Sequence, residues 1–169
     1  MRGGEDRSPG SLAIGLVKTA TGQVGISGRS IETAFETEAS VNLDANGNSG
    51  LIAFTRATKE AITKAKQLGF GVGAVHGHAS ATAHLAYYAE LAAAENLVSI
   101  VMCCGPPSVA PHGALRPLFS TNPICFGVPT ENPAQPLVLD LATSAYAFSA
   151  VDNARIAGTP IPHGVGQDA

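Results

Sequence analysis

Two consecutive units, each a helix-period apolar stripe followed by a break and a short apolar run, leave this chain few folds to choose from. In the first, Leu51, Phe54, Thr58, Ala61, Ile62 and Ala65 recur at intervals of three and four, the spacing that lines one face of an α-helix. Lys59, Glu60, Lys64 and Lys66 then take the wet side. Gly69 supplies a left-handed residue to close the helix, and Phe70 to Val75 reads as a short buried strand. The second unit repeats the plan with Leu85, Tyr88, Leu91 and Ala92 as the stripe, Asn96 in the place of Gly69, and Leu97 to Met102 as the strand. Helix and strand in alternation define an α/β chain.

The flanks are less strongly patterned. Glycines punctuate the first 40 residues, which are expected to form a mobile N-terminal arm, with Ser40 to Leu43 the first stretch to suggest order. Residues 41–169 form the expected α/β core. After Cys104 the texture becomes a proline-punctuated loop, followed by strand-like runs at Ile124 to Val128 and Leu137 to Leu141. A short polar helix or turn is expected around Asn153 to Ile156.

Composition narrows the function classes. A chain of 169 residues with 45% hydrophobic and 14% charged residues is globular. Ten Lys plus Arg against thirteen Asp plus Glu give a net charge of -3, with no basic surplus to neutralise a run of phosphates or dock on an anionic membrane. The longest apolar run, Leu97 to Cys104, is interrupted by Ser99 and falls short of the ~20 residues of a membrane span. The polar start MRGGEDRSPG carries no secretory signal, so a cytoplasmic location is expected. Cys103, Cys104 and Cys125 are expected to be reduced and buried. Nineteen Gly and eleven Pro with no Trp imply a loop-rich chain with thin core anchors.

Four segments carry candidate chemistry. Gly69 to Ala74 matches G-x-G-x-x-A literally, but its glycines follow a helix and lead into a strand, the reverse of a dinucleotide-binding turn. Helix closure and close backbone packing are the expected roles. His76, His78 and His84 crowd a strand-to-helix junction, a suitable place for acid/base chemistry or simply for packing at a helix start. His-x-His can hold zinc, yet no carboxylate or thiol stands at matching spacing, and no metal centre is expected. Asp140, Leu141, Ala142, Thr143 and Ser144 put a carboxylate and two hydroxyls at a strand's carboxyl end, where they suit a cofactor ribose or phosphate, or alternatively the capping of a following helix. Thr121-Asn122-Pro123 is a turn former that can also fix a ligand carboxamide.

Taken in order, Val109-Ala110-Pro111-His112-Gly113, Arg116-Pro117-Leu118-Phe119, Thr121-Asn122-Pro123 with Phe126-Gly127-Val128-Pro129, and Leu139 to Ser144 resemble one family. It is the malate/L-lactate dehydrogenase type, which also holds ureidoglycolate and sulfolactate dehydrogenases, diketogulonate reductase and Δ1-piperideine-2-carboxylate reductase. The resemblance runs from about Leu12 to the end, with Pro160 to Asp168 similar to a P-x-G-x-x-x-D stretch.

The resemblance implies a non-Rossmann NAD(P)-binding α/β fold, here partial. It implies a homodimer and hydride transfer between NAD or NADP, NADPH slightly favoured, and a small 2-oxo or 2-hydroxy acid or cyclic imino acid. It places Asp140 to Ser144, Thr121 and Asn122 at the cofactor and His78 at the proton transfer. The family's Ser-x-His-x-Gly has no literal counterpart, since counting back from Tyr88 sets Ala81 at the histidine. Its Asn-Ser before the proline-rich loop reads Cys104-Gly105. Relatives of this type are longer and carry an early Ser-His-Gly and a late Lys-Gly motif, so the resemblance implies truncation at both ends and a partner-dependent fold. A non-catalytic remnant that packs with a partner subunit is the alternative.

Overall fold

A computed structural model describes residues 27–165. Strands β1 (Glu32–Glu36), β2 (Ser40–Asp44) and β3 (Val72–His76) form one sheet in that order, with helix α1 (Gly50–Leu68) joining β2 to β3. β1 runs antiparallel to β2, and β2 parallel to β3. Helix α2 (Ala86–Ala94) follows, then β4 (Ser99–Met102), β5 (Ile124–Val128) and β6 (Leu137–Leu141), an antiparallel sheet, and helix α3 (Phe148–Ala157). The helix and strand alternation is the one the sequence implies.

Glycine sets the distance between α1 and its sheet. Gly69 closes the helix at φ 82°, its N–H donating to Ala65 O. A Cβ at Gly71 would lie 2.1 Å from Ala61 O, and one at Gly73 2.5 Å from Ala57 O. The G-x-G-x-x-A match therefore serves helix closure and backbone contact. Deepest on α1 are Gly50, Ala53 and Ala57, small residues beside the apolar stripe that let the strand approach.

Two small cores result. Val41, Leu43 and Ala57 form one with Ile31 and Val75 against it; Leu85, Tyr88, Ala89 and Cys125 form the other, backed by Leu51, Phe54, Val101 and Val138. Helix α1 contributes to both, so it couples the sheets.

Several expectations are corrected. Residues 1–26 of the proposed arm lie outside the described residues, but Glu32–Glu36 is a strand, since its backbone pairs with β2 from Glu32↔Asp44 to Glu36↔Val41. β3, expected to be buried, exposes Val72, and β4 exposes Ile100 and Met102, because a helix covers only one face of each sheet among the described residues. Lys64 is not on the wet side: its side chain lies against β1, with the ammonium 2.8 Å from Glu36 Oε1 and from Thr37 O. Of the cysteines only Cys125 is buried, Cys103 being half-buried and Cys104 exposed, as the alternation along β4 turns successive residues to opposite faces. No helix opens at Thr143 or Ser144; α3 begins at Phe148 and runs through the expected short polar turn.

Candidate active site

The loop from His78 to Leu85 connects β3 to α2 and is fastened at several points. His78 Nδ1 lies 2.8 Å from Ser80 O, an arrangement in which Nδ1–H donates to the carbonyl and Nε2 is left as the basic nitrogen. Phe54 stands edge-on to the His78 ring at 5.8 Å between centroids. Ser80 Oγ accepts from Gly50 N at 3.1 Å and so caps the start of α1. The Tyr88 hydroxyl, fully buried, donates to Thr82 O, and burial pushes its pKa up. The Thr82 hydroxyl in turn donates to Cys103 Sγ at 3.6 Å, tying this loop to the end of β4. Ala83 sits at φ 64°, a left-handed backbone that favours glycine. In the register counted back from Tyr88, the glycine of Ser-x-His-x-Gly falls on this residue.

The second half of the site gathers where β5 begins and β6 ends. Thr143 N donates to Thr121 O at 3.0 Å, and the Thr143 hydroxyl reaches Thr121 O and Asn122 O at 3.2 and 3.0 Å. Asn122 turns the chain at φ 38°. Cys103 N donates to Pro123 O at 3.4 Å, bringing the same turn to the end of β4. The preceding proline-rich loop is closed on itself, with Val109 and Phe119 bridged. Thr121, Asn122 and Thr143 are thus one knot, as the sequence reading groups them. Ser144 turns elsewhere, its hydroxyl donating to Tyr146 O at 2.7 Å. Leu141 is paired to Ile124 on β5 with its side chain exposed, and Ala142 is half-buried.

Asp140 has a task the sequence does not reveal. Its Oδ2 accepts from Ala86 N at 2.8 Å, capping α2 where the helix dipole favours an anion. It therefore joins the two halves of the site. His78 itself is not bonded to the Thr121, Asn122 and Thr143 knot; the halves meet through Asp140–Ala86 and Thr82–Cys103.

The sequence reading also misses a cluster at the ends of the parallel pair. His76 Nδ1 is 3.1 Å from Asn42 Oδ1, and its Nε2 is 3.8 Å from Asp44 Oδ2. Strand alternation puts Asn42 and Asp44 on one face, and parallel register sets Asp44 beside His76. That register is the signal that would have found it. Elsewhere a cleft of about 680 Å³ opens between α1 and the start of α2, lined by Leu51, Ile52, Thr55, Ala83, His84 and Tyr87 and edged by charged α1 residues. Arg56 there already serves Glu60 and Ile31 O, each at 2.7 Å. Among the described residues no three His, Cys, Asp or Glu side chains converge as a metal would need, and no helix is long and apolar enough to cross a membrane.

The residues present suit a nicotinamide nucleotide. The Thr121 hydroxyl and Asn122 carboxamide sit on a turn fixed by the Thr143 bonds, and neither carries a hydrogen bond of its own side chain among the described residues. A fixed turn with open donors and acceptors can take a ribose hydroxyl or a carboxamide.

Such a chain falls in the class of α/β proteins that gather polar groups in loops at the ends of strands. Within that class, residues 15–169 match the model of the malate/L-lactate dehydrogenase family, and the chain belongs to that family. It is 39% identical over 129 residues to the Δ1-pyrroline-2-carboxylate/Δ1-piperideine-2-carboxylate reductase of Pseudomonas putida, covering 76% of this chain and 37% of that protein. It is 36% identical over 127 residues to the (2R)-3-sulfolactate dehydrogenase (NADP(+)) of Chromohalobacter salexigens, covering 73% and 37%. Among solved structures, malate dehydrogenase from Entamoeba histolytica superposes with a TM-score of 0.77 at 27% identity, over 87% of this chain and 40% of that one. The chain thus spans 37% of the length of each of these two curated relatives.

Proposed function

We propose that this chain is the cofactor-binding part of an oxidoreductase that moves a hydride between NAD(P)H and a small 2-oxo or 2-hydroxy acid, or a cyclic imino acid. The observation that carries the proposal is the Thr143–Thr121–Asn122 knot, which sets open polar groups where the family resemblance puts the cofactor. When bound, the nicotinamide supplies or accepts the hydride. The Thr121 hydroxyl, the Asn122 carboxamide and the 141–144 backbone hold and orient it. Asp140 keeps that backbone in place through its bond to α2. His78, with Nδ1–H committed to Ser80 O, presents Nε2 to give or take the proton that accompanies the hydride. The C. salexigens relative is an NADP(+)-dependent sulfolactate dehydrogenase, and in this reading NADPH is slightly favoured over NADH. A homodimer and a cytoplasmic location complete this reading.

The bare sheet faces favour a second reading, a non-catalytic chain that packs on a partner subunit. Fluorescence titration with NADPH and NADH, followed by turnover assays with 2-oxo acids and cyclic imines, separates the two. Saturable NADPH binding is expected, with Thr121→Val weakening it about tenfold, the cost of one hydrogen bond. His78→Ala should leave binding intact and lower turnover by about 10² to 10⁴. Absence of saturable binding by either nucleotide overturns the cofactor site, and binding without turnover selects the second reading.

A further inference from the structure

Strand register gathers ligand-type side chains at one corner of the β1–β2–β3 sheet. Glu32 is paired with Asp44, and Asp44 with His76, so three strands set two carboxylates and an imidazole in one cross-strand row. Val41 and Leu43 pack with Ala57 of α1, and alternation along β2 therefore turns Asp44, and the row with it, to the opposite face. That face is open, the His76 side chain being 53% and the Asp44 side chain 38% exposed. His-x-His spacing hides this, because the two imidazoles part company. His78 turns to Ser80 O and packs on Phe54, while the carboxylates beside His76 come from two earlier strands.

The His76 ring is oriented for a cation. Asn42 Oδ1 accepts from Nδ1–H at 3.1 Å, which leaves the lone pair on Nε2, and outer groups fix the tautomer of metal-ligating histidines in this way. Nε2 then faces Asp44 Oδ2 at 3.8 Å. Two acceptors across a gap too wide for a hydrogen bond repel each other unless a positive charge lies between them. Tetrahedral zinc holds a nitrogen and an oxygen ligand about 3.4 Å apart, so a closure of a few tenths of an ångström seats an ion here. The other Asp44 oxygen is already fixed, Oδ1 accepting from Asn46 N at 2.8 Å. Gly77 makes room for it, since a Cβ there would lie 2.6 Å from Oδ1. Glu32 does not yet converge with the other two, but its side chain has no bond of its own among the described residues. Rotation about its side-chain bonds carries the carboxylate across the ~5 Å between paired strands.

We propose that Glu32, Asp44 and His76 form a site for a divalent cation of the zinc type, with water completing the coordination. An imidazole with two carboxylates suits such an ion, whereas magnesium and calcium take oxygen ligands alone. No ligand of this site belongs to the hydride-transfer site, so the proposal is independent of that reading. A bound ion would fasten the edge strand β1 to β2 and β3, and because only the folded sheet assembles the row, it stabilises the fold.

Calorimetric titration of the chelator-treated 169-residue chain with zinc chloride tests this, in a Cys104→Ser background that removes the exposed thiol. One equivalent should bind with a micromolar Kd, raise the Tm and shift the His76 ring protons in the NMR spectrum; magnesium chloride should do none of these. His76→Gln, Asp44→Asn and Glu32→Gln should each weaken binding about tenfold or more, and His112→Ala should not. Asp44→Asn keeps an acceptor for Asn46 N, so its loss of zinc is not a loss of fold, which unchanged circular dichroism checks. Absence of saturable zinc binding below millimolar overturns the site, as does binding that His76→Gln leaves unchanged. Binding lost in His78→Ala and kept in Glu32→Gln would assign the ion to the His-x-His pair and overturn the row.

Discussion

Ala83 is a residue whose backbone and side chain disagree. At φ 64° its Cβ crowds the following carbonyl, a conformation that costs an L-residue about 1–2 kcal/mol. Ala83→Gly removes that strain at the expense of a more flexible unfolded chain, so a net gain of roughly 0.5–1 kcal/mol is expected as a higher urea midpoint at unchanged slope; a lower midpoint would contradict it. Asn96, at φ 58° after α2, needs no such repair, since asparagine tolerates the left-handed region. Proton equilibria give a second prediction at this scale. Burial first, then the charges of Asp140 and Glu90, push the Cys125 thiol up to about 11 from an ordinary value near 9, and burial likewise raises Cys103 and Tyr88. A raised folded-state pKa means that the folded chain holds its proton longer than the unfolded one. The resulting stability is complete below about pH 9 and is lost as pH rises towards 11. Denaturation measured at pH 8 and at intervals up to pH 10.5 should show the decline, and Cys125→Ala should flatten it.

Elements in this chain are joined by contacts of two kinds, and only one is legible in the sequence. Helix α1, its left-handed stop at Gly69 and the strand after it follow from periodicity and one glycine, because all three are local. The caps are not local: α1 is capped by Ser80 and α2 by Asp140, across sequence separations of 30 and 54 residues. A carboxylate that reads as a ribose ligand from its strand-end position is thus spent on a helix N-terminus that spacing could not pair with it. The Thr121–Asn122–Thr143 grouping was legible from motif order, whereas its geometry depends on the antiparallel pairing of β5 with β6. Glycine supplies the test at this scale. Gly73→Ala drives a Cβ to 2.5 Å from Ala57 O, so α1 must lift from β3, whereas Gly69 has nothing within 4 Å and only its φ of +82° to lose. Gly73→Ala is expected to cost about 1–3 kcal/mol, as overpacking does, and Gly69→Ala about 1 kcal/mol. Thermal or urea unfolding of both variants checks the order, and a costlier Gly69→Ala would show that the helix end, not the interlayer distance, governs this unit.

At the scale of the molecule, the cores are small and the sheets half-covered. The buried clusters centre on Leu43 with Val41 and on Tyr88 with Leu85, while Phe35, Phe70, Phe126 and Phe148 are exposed. Most of the large aromatic area that would ordinarily offset chain entropy is therefore still in water. Thin aromatic anchoring in the sequence becomes, in the fold, a shortage of buried ring surface combined with an excess of bare sheet. A chain built this way draws part of its stability from whatever covers those faces, and if that is a second copy, unfolding and dissociation are one equilibrium. Mass action then makes the transition depend on concentration: each tenfold rise favours the folded dimer by about 1.4 kcal/mol, shared between two chains. For a domain of this size the shift is about 2 °C in Tm per decade of concentration. Scanning calorimetry over two decades should record that rise. A sharp transition at one temperature throughout, at dilute monomer concentration, would mean that the two small cores suffice on their own.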